Sequence, residues 1–155
     1  MKTLIAYFSW SGNTKEIAEK IQAKTNADLY RIETKKPYSR DYHTCAYIEA
    51  KKEADEDIHP EVKKPLPNLD GYENLILCFP IWWYTCPKVI CSFLEAYPDF
   101  HGKKIFVFAN AYSDIKKQFE DSIIDCKKCA PTATIVPGLF NQEINGLDEW
   151  IKNNL

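Results

Sequence analysis

Short apolar runs alternate with helical patterns along this chain of 155 residues. The runs that predict β-strands lie at residues 3–8, 27–33, 75–79, 104–109 and 132–136. A first helix follows the first strand, because Ile17, Ala18 and Ile21 share one helical face. Further helices are predicted over residues 41–57, from Pro87 to Tyr97, after a cap at Ser113 or Asp114, and at residues 144–155.

The pattern of these elements predicts one class of fold. The runs at 75–79 and 104–109 show no polar alternation, which is typical of strands covered on both faces. Strands that alternate with helices favour right-handed crossovers and a parallel sheet. We therefore expect a single α/β domain over residues 1–155, a three-layer sandwich around a five-stranded parallel sheet. Ligands bind such sheets beyond the carboxyl ends of the strands, which selects the loops at residues 9–14, 80–87 and 109–114.

Charge and hydropathy narrow the possible partners. The chain has 20 basic and 22 acidic residues and a net charge of -2, so electrostatic capture of nucleic acid or of an anionic membrane is not indicated. No apolar run approaches the roughly 20 residues that span a bilayer. Met1 leads directly into a strand rather than into a signal peptide. We expect a cytoplasmic protein whose six cysteines are free thiols.

The loop at residues 9–14 is rich in groups that bind phosphate. Its sequence is Ser9-Trp10-Ser11-Gly12-Asn13-Thr14, and Thr14 is suited to cap the helix that follows. Hydroxyl and N–H donors at a helix N-terminus form an anion site. The loop has no lysine, as a triphosphate loop would, and lacks the three glycines of a dinucleotide turn. It predicts a monophosphate site, and an ordinary capped helix start is the alternative.

The loop at residues 80–87 predicts a partner with a flat ring. It places three consecutive aromatic residues, Trp82, Trp83 and Tyr84, between Pro80 and Pro87. Aromatic side chains at the ligand edge of a sheet usually pack on something, and stacking adds about 0.5 to 1.5 kcal/mol beyond area burial. The alternative is that the two tryptophans only cover the ends of neighbouring helices.

Together these motifs resemble those of flavodoxins. In the first loop and its flanks the matching residues are Tyr7, Ser9, Gly12, Thr14, Ala18 and Ile21, with Ala6 where the pattern usually has a larger apolar residue. The segment Pro80-Ile81-Trp82-Trp83, followed by Pro87, is similar to the short flavodoxin-like family, in which this loop runs beside the flavin ring. The residues Tyr38, Asp41 and Tyr42 resemble that family's insertion after the second strand. The similarity covers residue 2 to about residue 109.

This resemblance implies a sheet order of 2-1-3-4-5 and flavin mononucleotide (FMN) as the cofactor. The phosphate would lie on residues of the first loop and the ring against Trp82 and Trp83. The implied cofactor-binding residues are Ser9, Trp10, Ser11, Gly12, Asn13, Thr14, Pro80, Ile81, Trp82, Trp83, Tyr84, Asn110 and Tyr112. Neither a catalytic residue nor a metal ligand is predicted.

The third loop departs from the family pattern. Flavodoxin-like proteins usually have a glycine-rich turn after the fourth strand, whereas residues 109–114 contain no glycine. Tyr112 would either cover the ring or fill its place. Two functions therefore stay open. One is an FMN-dependent redox protein that serves a redox partner protein or reduces a quinone or another small acceptor. The other is a binding or regulatory module that has lost the flavin.

Two further patterns lie outside these loops. Cys126 and Cys129 have the spacing of a zinc or redox pair, but a zinc site needs about four ligands and no second such pair follows, so they are predicted to be two cysteines at a helix end. Cys86, near the start of a helix, is expected to have a lowered pKa. The charged run at residues 49–57 is predicted to be a solvated face.

Overall fold

The structure, a computed structural model, describes residues 2–155. The strands in this range are β1 Thr3–Tyr7, β2 Asp28–Arg31, β3 Asn74–Pro80, β4 Lys104–Asn110 and β5 Thr134–Phe140. The α-helices are α1 Asn13–Thr25, α2 Lys51–Glu56, α3 Lys88–Glu95, α4 Lys116–Cys129 and α5 Leu147–Asn154, with a π-helix at Thr44–Ala50 and a 3₁₀-helix at Asn141–Gly146. The strands form one parallel sheet in the order β2-β1-β3-β4-β5, which confirms the predicted topology.

Alternate side chains of the central strands face two different helical layers. Leu4 and Ala6 of β1 pack in the core that α3 and α4 cover, whereas Ile5 and Tyr7 pack in the core that α1 and α5 cover. This alternation follows from the two-residue period of a strand. Because both faces are covered by helices, both sets of positions are apolar. This is the predicted three-layer sandwich.

Most boundaries differ from the predicted ones by one to three residues, and three differences have a structural cause. The strand predicted at residues 132–136 begins at Thr134 and continues to Phe140, because β5 is an edge strand that tolerates Pro137. The helix predicted over residues 41–57 is divided into the π-helix and α2. Helix α4 begins at Lys116, so the predicted cap at Ser113 or Asp114 is wrong.

Gly138 allows β5 to pack closely on β4. The pairing of the two strands shifts register between Val107 and Ala109. A Cβ atom at Gly138 would lie 2.5 Å from carbons of the Phe108 ring and 2.7 Å from the Val107 carbonyl oxygen. The close approach therefore requires glycine at this position.

Within residues 2–155, the helices are too short or too polar to cross a membrane.

Candidate functional site

Gly12 shapes the turn between β1 and α1. Its φ angle of 104° lies in the left-handed region, and its N–H donates to Ser9 Oγ at 3.1 Å. Gly12 is the N-cap of α1, so the prediction that Thr14 caps the helix is wrong. The first N–H groups of an α-helix have no acceptor within the helix. The turn therefore presents backbone donors next to the buried hydroxyls of Ser9 and Thr14 and to the exposed side chains of Ser11 and Asn13.

Asn110 joins the three loops that the sequence selected. Thr14 Oγ1 donates to Asn110 Oδ1 at 2.7 Å, which connects the start of α1 to the end of β4. The Ile81 N–H donates to the Asn110 carbonyl oxygen at 2.9 Å, which connects the loop after β3. The turn after β1, the loop after β3 and the loop after β4 therefore meet at one edge of the sheet.

The aromatic loop after β3 is a tight turn. The Trp82 N–H donates to the Thr85 carbonyl oxygen at 2.8 Å, and the two residues between them have positive φ angles, 50° for Trp83 and 74° for Tyr84. This geometry points consecutive side chains in different directions. Tyr84 is 67% exposed. The Trp82 ring packs edge-on against Phe8, with ring centroids 5.2 Å apart.

Trp83 fastens this loop to the insertion after β2. Its indole N–H donates to the Ala46 carbonyl oxygen in the π-helix at 2.8 Å. The Lys51 ammonium lies 4.9 Å from the centre of its ring, and the Tyr47 ring packs edge-on at 5.6 Å. The polar edge of Trp83 is therefore engaged within the protein.

Trp10 is held by the same insertion. Its indole N–H donates to the Ser39 carbonyl oxygen at 2.9 Å, and the Arg40 guanidinium lies 4.7 Å from the ring centre. Ser39 in turn donates its N–H to a carboxylate oxygen of Glu49 at 2.7 Å. The side chain of Trp10 thus joins the turn after β1 to the insertion.

Tyr38 and Glu53 form a partly buried polar pair under the aromatic loop. The Tyr38 hydroxyl donates to Glu53 Oε1 at 2.6 Å, and its ring packs edge-on against Trp82 at 5.2 Å. Burial raises the pKa of the Glu53 carboxyl to about 7, against the opposing effect of the Tyr38 hydrogen bond. The prediction of a solvated face is therefore wrong for Glu49 and Glu53. Their acceptor roles depend on tertiary contacts that helical periodicity does not show.

The third loop leaves space beside it. Tyr112 is fully exposed, so its side chain does not fill the interior of the site. The loop is held by Asn141, which was not selected from the sequence: Asn141 Oδ1 accepts the Ala111 N–H at 2.7 Å. A cleft of about 890 Å³ opens between α1 and this loop. Within the described chain, Asn13, Asn110 and Tyr112 line this cleft, whereas Trp82 and Trp83 do not.

Cys86 and Cys126 are neighbours in the protein core. Cys86 is buried next to Cys126, and this neighbouring thiol, together with burial, raises the pKa of Cys86 well above its usual value. The expected lowering of its pKa is therefore wrong, because contact and burial outweigh the position near a helix start. Among residues 2–155, His, Cys, Asp and Glu side chains form no group of three or more that could hold a metal ion.

Comparison with solved structures identifies similar proteins. A candidate flavoprotein from Bacteroides uniformis ATCC 8492 is 28% identical, with 97% of each chain covered and a TM-score of 0.81. A candidate flavoprotein from Bacteroides eggerthii DSM 20697 is 26% identical, with a TM-score of 0.82, and the match covers 98% of this chain and 96% of that one. A flavoprotein from Lactobacillus acidophilus NCFM, solved in complex with FMN, has the same fold at 20% identity and a TM-score of 0.76, over 97% of this chain and 98% of that one.

No protein of curated function matches the chain significantly. The model of the flavodoxin family, in contrast, matches residues 2–154, which is nearly the whole chain. The strand order agrees with this match. The chain therefore belongs to the flavodoxin family.

Proposed function

We propose that this protein binds FMN at the edge of the sheet and transfers electrons through it. The observation that carries the proposal is the hydrogen-bonded junction at Asn110, which brings the hydroxyl-rich turn and the aromatic loop together. The L. acidophilus protein of the same fold, which was solved with FMN, supports this choice of cofactor.

The turn after β1 has the donors that a phosphate requires. The hydroxyls of Ser9, Ser11 and Thr14 and the N–H groups at the start of α1 would hold the phosphate. A Cβ built on Gly12 meets no atom within 4 Å, so the backbone is open to a ligand on that side. Hydroxyl and N–H donors bind an anion without a cationic side chain. The residues present therefore fit this part of the cofactor.

The aromatic loop and the third loop provide surfaces for the flavin ring. The Trp82 ring packs edge-on against the rings of Phe8 and Tyr38. The side chains of Tyr84 and Tyr112 are exposed and therefore available to cover a flavin ring. Bound FMN would supply the redox chemistry, while the protein controls its potential and its access to solvent. An apolar wall such as Trp82 excludes water from one side of the ring.

For the electron acceptor we propose a small aromatic molecule of the quinone class. A net charge of -2 with mixed signs gives little electrostatic steering toward a charged protein partner. Exposed Tyr84 and Tyr112 present flat apolar faces at the edge of the site, and such faces stack on aromatic molecules. A redox partner protein is the alternative donor or acceptor.

Two measurements test the proposal in sequence. Apoprotein titrated into free FMN is expected to quench the flavin fluorescence with one FMN bound per chain. Protein that stays colourless and leaves the fluorescence unchanged would support the alternative function, a binding or regulatory module that has lost the flavin. The loaded protein is then mixed with reduced nicotinamide cofactor and a quinone. Steady oxidation of the nicotinamide supports a reductase, whereas a loaded protein that shows no turnover supports an electron carrier.

A further inference from the structure

Four cysteines form a continuous series of contacts between α3 and α4. Cys86, Cys91 and Cys126 belong to one buried cluster, and Cys129 packs against it. Within this cluster Cys129 neighbours Cys91, Cys91 neighbours Cys86, and Cys86 neighbours Cys126. These residues come from two separate parts of the sequence, since Cys86 and Cys91 flank the start of α3 and the other two lie in the last turn of α4. We call this set the thiol series.

The thiol series leads from the surface into the core. Cys129 is half-buried, while Cys91 is 3% exposed, Cys86 is 2% exposed and Cys126 is fully buried. A reagent from solvent can therefore reach the series through Cys129, and the inner three are accessible only through their neighbours. The remaining two cysteines of the chain, Cys45 and Cys78, are buried elsewhere and provide internal controls.

The inner end of the series lies beside the aromatic loop. Cys86 follows Thr85 directly, and the Thr85 hydroxyl donates to a carboxylate oxygen of Asp125, the residue before Cys126. A covalent bond between Cys86 and Cys126 would thus join the end of this loop to α4 at a point where a hydrogen bond already joins them.

We propose that the thiol series is a site of reversible disulfide formation that reacts with low-molecular-weight disulfides through Cys129. The Cys129 thiolate attacks one sulfur of the small disulfide, and the other half leaves as a thiolate that takes up a proton. Cys91, after losing its proton to solvent, then attacks Cys129 Sγ and displaces the second half. Two protein thiols are oxidised to one disulfide, and the small disulfide is reduced to two thiols.

Exchange along the contacts moves the bond inward without further oxidant. Cys86 attacks Cys91 Sγ and releases Cys129 as a thiol, and Cys126 then attacks Cys86 Sγ and releases Cys91. Each step breaks one S–S bond and forms another, so the number of electrons in the protein is unchanged. The disulfide that results, Cys86–Cys126, is shielded from solvent.

The protonation of the outer thiols sets the pace of the first steps. Contact with Cys91, burial and the nearby carboxylates of Glu95 and Asp125 raise the pKa of Cys129 far above its usual range. Against the opposing effects of Cys129 and Lys88, contact with Cys86 and burial raise the pKa of Cys91. Only the thiolate is nucleophilic. We therefore expect slow oxidation at neutral pH and a rate that rises about tenfold for each unit between pH 7 and pH 9.

The test is oxidation of the folded protein with oxidised glutathione, followed by mass spectrometry of tryptic peptides. Trypsin cleaves after Lys88, Lys127 and Lys128, which places the four cysteines in four different peptides. The expected product has lost two hydrogens, carries no glutathione, and contains a linked pair from within the series. Reduction with dithiothreitol should restore the original mass.

Single substitutions identify the entry point. Cys129→Ala should slow oxidation at least about tenfold, because the remaining thiols of the series are nearly inaccessible. Cys91→Ala should retain glutathione on Cys129, since the thiol that displaces it is missing. The control Cys45→Ala should oxidise like the unmodified protein. Circular dichroism confirms that each variant is folded.

Three results would overturn the proposal. One is a folded protein that shows no linked peptides although the urea-unfolded protein oxidises, which would mean that the four cysteines are only apolar core residues. Another is a wild-type protein in which glutathione stays on Cys129 unresolved. The third is a Cys129→Ala variant that oxidises at the wild-type rate.

Discussion

Thr14 provides the sharpest prediction for a single residue. Its hydroxyl donates its single proton to Asn110 in this structure, and would redirect it to the phosphate of FMN, which is proposed to bind at the start of α1. Thr14→Ala is expected to weaken FMN binding about tenfold, because one hydrogen bond to a charged group is worth about 1.5 kcal/mol. Thr14→Ser, which keeps the hydroxyl, is the matched control and should bind nearly as the wild type does. Fluorescence titration measures both.

An unchanged affinity of the alanine variant would remove this hydroxyl from the phosphate site. A loss of affinity accompanied by a large fall in the melting temperature would instead indicate that the bond to Asn110 is structural.

Gly12 and Gly102 offer a matched pair of glycines. Both have positive φ angles, 104° and 74°, and in both cases an added Cβ would meet no atom within 4 Å. Replacement of either by alanine should lower the free energy of unfolding by about 1 kcal/mol through left-handed strain. Only Gly12→Ala should also weaken FMN binding, because its Cβ would enter the space proposed for the phosphate. Equal FMN affinities of the two variants would contradict this position of the phosphate.

Among the secondary-structure elements, β5 has the tightest constraint. Gly138→Ala would place a Cβ within 2.5 Å of the Phe108 ring and 2.7 Å of the Val107 carbonyl oxygen. We expect a loss of about 1 to 3 kcal/mol in stability, because the strand must move away from β4 to relieve the overlap. Chemical denaturation measures this loss. The control Gly146→Ala, where no atom lies within 4 Å of the added Cβ, should cost less. Equal losses would show that the close approach is not limiting.

The elements of the sheet could be predicted wherever burial alone determines the residue pattern. β3 and β4 lie between two helical layers, so their runs are apolar and easily recognised. The predicted strand at residues 132–136 ends too early, because Pro137 and Gly138 resemble the end of a strand, whereas an edge strand such as β5 tolerates both. The π-helix at Thr44–Ala50 has no distinct signal in a periodicity of 3.6 residues.

In the candidate site, too, some features could be predicted from the sequence and others could not. Residue types and topology were sufficient to select the three loops, since parallel strands end at one edge. The partners within the site could not be predicted, because Trp83 reaches Ala46 and Tyr38 reaches Glu53 across sequence separations of 37 and 15 residues. Asn110 was selected only as one of many site residues, and its role as the junction is visible only in three dimensions.

For the whole molecule, Glu53 predicts a dependence of stability on pH. Burial raises the pKa of this carboxyl from 4.5 to about 7 in the folded protein. Between these two values the folded state binds more protons than the unfolded state, so the free energy of unfolding falls as the pH rises. The stabilisation is complete below about pH 4.5 and is lost as the pH rises through 7.

Glu53→Gln tests this prediction, because glutamine can still accept the Tyr38 hydrogen bond but does not ionise. Relative to the wild type, the variant should become progressively more stable between pH 5 and pH 8. Urea denaturation at several pH values measures the difference. Because other titrating groups such as His59 are common to both proteins, their effects largely cancel. A difference that is constant with pH would show that Glu53 ionises normally.

The turn at Trp83 and Tyr84 holds two bulky side chains in a strained backbone conformation. Two consecutive residues in the left-handed region favour asparagine and glycine, which reach it with little strain. The chain instead has two of its bulkiest side chains there, and one of them is 67% exposed. Trp83 is anchored in this conformation by its hydrogen bond to Ala46. Within residues 2–155 Tyr84 has no such anchor, and the proposed flavin ring would be the partner that offsets the strain of its backbone.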